Sequence, residues 1–162
     1  MAQILKKAVV ADVPQLLSMM RDNYLEDGIS FDGNEAKVAF EGLIEDSRNG
    51  HVWLIIDDET VVGYTSLTLG YSLEFGGRDA FIDDLYVRPQ SRNHGFGGRA
   101  LEAMIKTAEA AGVRAVHLEV DRENERARHL YEKTGFKPRQ RYFLMSKYLR
   151  CGRRKAESGK SR

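Results

Sequence analysis

Apolar and polar positions change their period several times along the chain, and each change marks an element. The stretch "ILKKAVV", residues 4–10, places apolar residues on both sides of two lysines and predicts a first strand. Asp12, with Pro14 in the first turn and Gln15 three residues on, predicts a helix start. Leu16, Leu17, Met20 and Tyr24 then recur at helical spacing until "EDGISFDGN" interrupts them. Asn34 is the expected cap of a second helix with Ala36, Phe40, Leu43 and Ile44 as its buried stripe. "HVWLIID", "VVGYTSLTLGYSL" and "DAFIDDLYV" follow as three strand-like runs whose short connections suit antiparallel hairpins.

Beyond a glycine-rich turn, Leu101, Met104, Ile105 and Ala108 repeat at helical spacing as far as Gly112. "RAVHLEV" reads as a strand, "NERARHLYEKT" as a helix stopped by Gly135, and "RYFLMSKYL", residues 141–149, alternates enough to be a closing strand. The order predicts an α+β fold: one mixed, mostly antiparallel sheet flanked by helices, with a central strand–helix–strand crossover.

Composition narrows the function classes. A chain of 162 residues with 42% hydrophobic content fits a single domain with a real core. The formal net charge of +1 is unevenly spread: residues 150–162 hold six Arg/Lys against Glu157, which leaves 19 basic and 23 acidic residues in the rest. The expected organisation is a domain over 1–149 and a basic, disordered tail over 150–162. A nucleic-acid arm is the less favoured reading of that tail. Cys151 is the sole cysteine, so no intramolecular disulfide is available and a reducing cytoplasm is the expected location. No run approaches the roughly 18 apolar residues of a membrane span, so no membrane partner is expected. A homodimer is left open. The four histidines have no metal-ligand spacing, and no metal is expected.

The chemistry concentrates in "RPQSRNHGFGGRAL", residues 88–101. A glycine-rich turn feeding a helix N-terminus presents unpaired N–H groups to an anion, phosphates above all, although a tight turn alone also explains two glycines. "GFGGRA" satisfies the dinucleotide fingerprint G-x-G-x-x-A, and Glu119 lies about 20 residues on, where a ribose-binding acid would stand. Context excludes that reading. "RPQSRNH" separates Val87 from Gly95, and residues 51–87 read as consecutive strands rather than strand–helix–strand repeats.

The same stretch resembles the pyrophosphate loop V-x-P-x-x-R-x-x-G-x-G/A of the GNAT superfamily of N-acetyltransferases, through Val87, Pro89, Arg92, Gly95 and Gly97. "NERARHLYEKTGF" is similar to that family's second motif through Asn124, Ala127, Tyr131, Gly135 and Phe136. Asn93 stands where many relatives have glycine. The resemblance implies acetyl-CoA as co-substrate, its pyrophosphate on the backbone of Arg92, Asn93, His94, Gly95, Phe96, Gly97 and Gly98, and its pantetheine beside Leu85 and Val87. Asn124 and Ala127 complete the implied cofactor contacts. Arg92 and Arg99 either add charge to the phosphates or are solvated.

For acetyl transfer, a lysine-like amine with pKa about 10.4 costs about 4.6 kcal/mol to hold neutral at pH 7, so a base is useful. The departing thiolate wants a proton. The resemblance makes Tyr131 the acid, against simple packing, and places an acid at the Asp83 position as base. Asp83 and Asp84 are consecutive and are expected on opposite faces of their strand unless a bulge intervenes. Tyr24, Glu26, Asp27 and Phe31, between the first two helices, are the expected acceptor-binding residues, and their charge suits a small cationic amine. The alternatives are a non-enzymatic acyl-CoA sensor and a protein lysine or N-terminal acetyltransferase. Deleting residues 151–162 leaves the melting temperature and CoA affinity nearly unchanged; a large thermal loss on truncation shows instead that the tail docks.

Overall fold

The computed structural model describes residues 4–149, so the basic stretch 150–162 with Cys151 lies outside the described residues. Five strands form one sheet in the order β1-β2-β3-β4-β5: β1 Leu5–Lys7, β2 Gly50–Asp57, β3 Thr60–Ser72, β4 Gly77–Val87 and β5 Ala115–Leu118. The first four pair antiparallel. β5 joins β4 in parallel. Parallel pairing requires a crossover, supplied here by helix α3, Phe96–Ala110. Helices α1, Val13–Glu26, and α2, Gly33–Glu45, precede β2, and α4, Glu125–Lys133, follows β5. This is the expected α+β architecture with its strand–helix–strand unit.

The sheet is buried on both faces, which is why "VWLI" in β2 reads as a continuous apolar run. Trp53 and Ile55 face α3, where Ala100, Leu101, Met104 and Ala108 form its buried stripe. Val52, Leu54, Tyr64 and Tyr86 face the other way, against Val13, Leu16 and Met19 of α1 and Phe40 of α2. No described helix is long and apolar enough to cross a membrane.

Three expectations are corrected. The first strand stops at Lys7, because a 3-10 turn at Val10–Asp12 follows and the Asp12 carboxylate accepts from the Val9 N–H at 2.9 Å instead of capping α1. Asp32, rather than Asn34, caps α2: its carboxylate accepts from the N–H groups of Asn34 at 2.9 Å and Glu35 at 3.1 Å. The closing strand over 141–149 does not form. Arg139 is tied to Glu74 at 2.7 Å and lies over the Phe75 and Tyr142 rings at the β3–β4 hairpin, while Tyr142, Phe143 and Leu144 border a cavity with Val116, His117 and Leu118 of β5 without pairing to it. β5 offers only four residues to pair with, and Phe143, Leu144 and Met145 remain exposed.

The α2 cap yields a direct expectation. Asp32→Ala lowers stability by about 1 kcal/mol, whereas Asn34→Ala costs far less. Urea midpoints of the two variants check this, and the opposite ranking would return the cap to Asn34.

Candidate active site

The geometry of the site begins where β4 and β5 part. Their ladder runs from Asp79↔Ala115 to Ile82↔Leu118 and stops, while β4 continues against β3 as far as Val87. At the same point the β3–β4 register shifts: Ser66 pairs with Asp84 and Leu67 with Ile82, which leaves Asp83 as the extra residue of a β-bulge. The bulge changes which side chains face which layer. Ala80 and Ile82 pack toward α3, yet Tyr86 packs toward α1. Asp83 and Asp84 accordingly both line one cleft, correcting the expectation that they face opposite ways. That the facing could be altered by a bulge was foreseeable; its position was not.

The cleft has a volume of about 940 Å³ and draws on five segments. The end of α1 supplies Tyr24, Glu26 and Asp27, and β4 supplies Leu85 and Val87 beside the two aspartates. The glycine-rich turn contributes Arg92, Asn93, Gly95, Phe96, Gly97 and Gly98. Beyond β5 come Glu119 and Asp121, and α4 adds Asn124, Ala127 and Tyr131.

Three of the expected residues keep their side chains out of the cleft. His94 is exposed, its ring at 3.3 Å from the Ser91 carbonyl, and does not line the cleft. The Arg99 guanidinium lies over the Phe96 ring at 4.7 Å, and Arg99 is exposed and does not line the cleft. Phe31 sits behind Tyr24, edge-on at 6.4 Å, and reaches the cleft only by supporting that ring.

Local backbone explains the turn. Gly95 caps α3 with φ 78°, a left-handed conformation that only glycine adopts without cost. Asn93 has φ 67°, and asparagine tolerates this region better than most residues. Gly97 and Gly98 lie beneath the second motif: a Cβ on either would stand 3.5 Å from a Leu130 methyl, an ordinary contact distance, so α4 packs against the start of α3. The N-terminal N–H groups of α3 open toward the cleft with the positive end of the helix dipole, as an anion requires. Asn124 caps α4 through its side-chain oxygen, which accepts from Ala127 N–H at 3.0 Å, so the second motif begins with a structural role.

The acids are held unequally. Asp84 has its backbone N–H donated to Ser66 Oγ at 3.2 Å, its carbonyl accepting from Thr65 Oγ1 at 2.7 Å, and its carboxylate within 3.4 Å of Asn23 Nδ2. Asp83 is exposed. Burial, then the charges of Asp84 and Asp83, push the Tyr24 phenol well above its ordinary pKa. Burial also raises Tyr131, helped by Asp27, and raises Asp27 itself, where Glu26 and Asp121 add repulsion that Arg92 partly offsets. Both phenols therefore stay protonated at neutral pH and can donate. Arg92 donates from Nε to the Val87 carbonyl at 2.8 Å and from Nη2 to both oxygens of Glu26 at 2.9 and 2.7 Å.

Sequence reasoning missed Asn23, Glu119 and Asp121 as cleft residues. Asn23 lies one helical position from Tyr24, and nothing in its spacing distinguishes it from a solvated residue. Glu119 has a sequence signal only as the ribose acid of the excluded dinucleotide fingerprint. Among the described residues no group of three or more His, Cys, Asp or Glu is placed to hold a metal ion.

The model of the acetyltransferase (GNAT) family matches residues 16–136, which span the cleft from α1 to the end of α4. The chain belongs to the GNAT acetyltransferase family. An integron cassette protein from the mobile metagenome of Cole Harbour Salt Marsh is similar in structure, with a TM-score of 0.80, 34% identity and coverage of 90% of this chain and 91% of that one. A predicted acetyltransferase from Clostridium acetobutylicum, solved with acetyl-CoA, shares the fold at a TM-score of 0.75 and 17% identity, over 88% and 94% of the two chains. Among curated proteins, the uncharacterized N-acetyltransferase YycN of Bacillus subtilis is 34% identical over 53% of this chain and 54% of its own. Thialysine N-epsilon-acetyltransferase of Bos taurus is 33% identical over 46% and 44%. The chain thus spans about half the length of these curated relatives.

The backbone of the turn is the most directly testable element of this GNAT site. Gly95→Ala adds a methyl that meets nothing within 4 Å, so only its φ of 78° opposes it. The expected loss is about 1 kcal/mol. A urea midpoint that does not move would show that the turn relaxes out of the left-handed region.

Proposed function

We propose that the protein transfers the acetyl group of acetyl-CoA to the primary amine of a small cationic acceptor by direct attack. One observation carries the reading: the phosphate turn, Tyr131 and the Asp83–Asp84 pair all line a single cleft. Acetyl-CoA would lay its pyrophosphate on the N–H groups at the start of α3, and its pantetheine along the part of β4 that β5 leaves uncovered. The Clostridium acetobutylicum relative named with acetyl-CoA supports the cofactor at the level of the shared fold.

The acids speak for the acceptor. Glu26, Asp27, Asp83, Asp84, Glu119 and Asp121 line the cleft against Arg92 and Arg126, a negative field that concentrates cations. The relative named for thialysine agrees with a small amine in that its printed substrate carries one. Asp84, fixed by Ser66, Thr65 and Asn23, serves as the base that takes the ammonium proton, and Asp83 supplies charge at the more open position. The neutral amine attacks the thioester carbonyl, the C–S bond breaks, and Tyr131 returns a proton to the thiolate. Because its pKa is raised, Tyr131 keeps that proton past the ordinary tyrosine value of about 10.

Thiol release from acetyl-CoA across a panel of amines is the primary test. CoA binding without amine-dependent release would favour an acyl-CoA sensor on the same fold. Tyr131→Phe keeps the ring and its packing on Phe136 but loses the donor, so kcat is expected to drop about 100-fold with CoA affinity little changed. Asp84→Asn loses rate most at low pH, where the amine is protonated, and recovers as pH nears the amine's own pKa. Asp83→Asn raises KM for cationic amines and spares kcat. Unchanged kcat in both Tyr131→Phe and Asp84→Asn would remove this acid–base assignment.

A further inference from the structure

One contact joins the two halves of the cleft. Glu26 is the last residue of α1, on the acceptor side, and Arg92 opens the phosphate turn, on the cofactor side. Their ion pair engages both carboxylate oxygens, at 2.9 and 2.7 Å. We propose that this pair is an exchange point: the diphosphate of CoA takes Arg92, the ammonium of the acceptor takes Glu26, and because one break serves both events, each ligand favours binding of the other. The inference rests on the reading of the cleft as an acetyl-CoA and amine site, and adds to it a coupling between the two substrates.

The asymmetry of the pair indicates which half moves. Arg92 has two further anchors, the Val87 carbonyl at 2.8 Å from Nε and the Tyr86 ring 5.6 Å from its central carbon. When Glu26 departs, the guanidinium stays in place for a phosphate. Glu26, by contrast, stands at the C-terminal end of α1, where the helix dipole is negative, and beside Asp27, whose pKa is raised by burial first and then by repulsion from Glu26. A carboxylate released there faces negative charge on two sides and gains from a cation. The unreleased state is equally unfavourable once cofactor arrives, because a phosphate on Arg92 would share a guanidinium with Glu26 and set like charges side by side.

The size of the coupling follows from exposure. Side-chain exposures of 26% for Arg92 and 40% for Glu26 make this a partly solvated pair, so a linkage of about fivefold is expected, at the low end of the usual range for coupled sites.

Calorimetric titration of CoA into the wild-type protein, E26Q, R92Q and the double variant tests this. Removing Glu26 should tighten CoA about fivefold, leave pantetheine, which lacks the diphosphate, unaffected, and have no effect in the R92Q background. Saturating spermidine, as a cationic probe, should tighten CoA by a similar factor in the wild type and not in E26Q. Thermal melts establish that the variants are folded. If E26Q weakens CoA, Glu26 merely orients Arg92 and the exchange is wrong. Unchanged CoA affinity in E26Q, or no response of the wild type to spermidine, also overturns it, with the cofactor reading intact. Failure of the wild type to bind CoA at all would instead sink the cofactor reading, and this inference with it.

Discussion

Everything in the cleft depends on two neighbouring strands that stop pairing. β4 and β5 share a ladder only as far as Ile82 and Leu118, and past that point β4 keeps a backbone edge that β5 no longer covers. Unpaired backbone groups buried in a protein are costly, so an opened sheet persists where another group can take the bonds. An extended pantetheine amide chain has the spacing to do so. The bulge at Asp83 falls on the same spot, and it turns two successive carboxylates into one acidic rim. Gap and rim are thus a single irregularity of β4, seen from its edge and from its face.

Layering converts that irregularity into an ordered site. Three of the elements that contribute to the cleft are anchored in the two cores: α1 by Leu16 and Met19, α3 by Leu101 and Met104, β4 by Tyr86 and Ile82. Thr65 belongs to both systems, since its hydroxyl reaches the Asp84 carbonyl at 2.7 Å and the Met104 sulfur at 3.0 Å. The acid is in this way referenced to the middle of α3, the helix whose first turn would hold the phosphates.

Much of this was legible from residue pattern, because helical stripes and strand runs report burial, and burial is what the core enforces. Leu16, Phe40, Leu101 and Met104 stand where their spacing put them. The glycine-rich turn was legible for a related reason, in that its conformation admits few residue types. What stayed hidden depends on partners distant in sequence. The bulge is a property of the β3–β4 pair and has no signature within "FIDDLYV" alone. Asp32 and Asn34 are equally good caps by composition, and only the chain's entry angle chooses between them. His94 stands between the left-handed Asn93 and Gly95, and Arg99 lies within the first turn of α3 over the Phe96 ring; the direction each side chain takes there is one that spacing cannot give. The alternation of residues 141–149 is a fair strand signal, but a strand needs a ladder partner, and the four residues of β5 are paired only with β4.

The seat of α4 has a further implication. That helix has no fully buried residue, and it rests on the start of α3 through Leu130, whose two methyls stand 3.5 Å from where a Cβ of Gly97 or Gly98 would be. Tyr131 is the next residue along. The glycine pair therefore works as a gauge block: its thickness sets how far the phenol stands from the floor on which the phosphates would lie. A single methyl there would meet the Leu130 methyls at ordinary contact distance, whereas a longer side chain would have to push them aside. The two sequence motifs thus meet at one contact, and a bulky residue at 97 or 98 would bear directly on the helix that carries Tyr131.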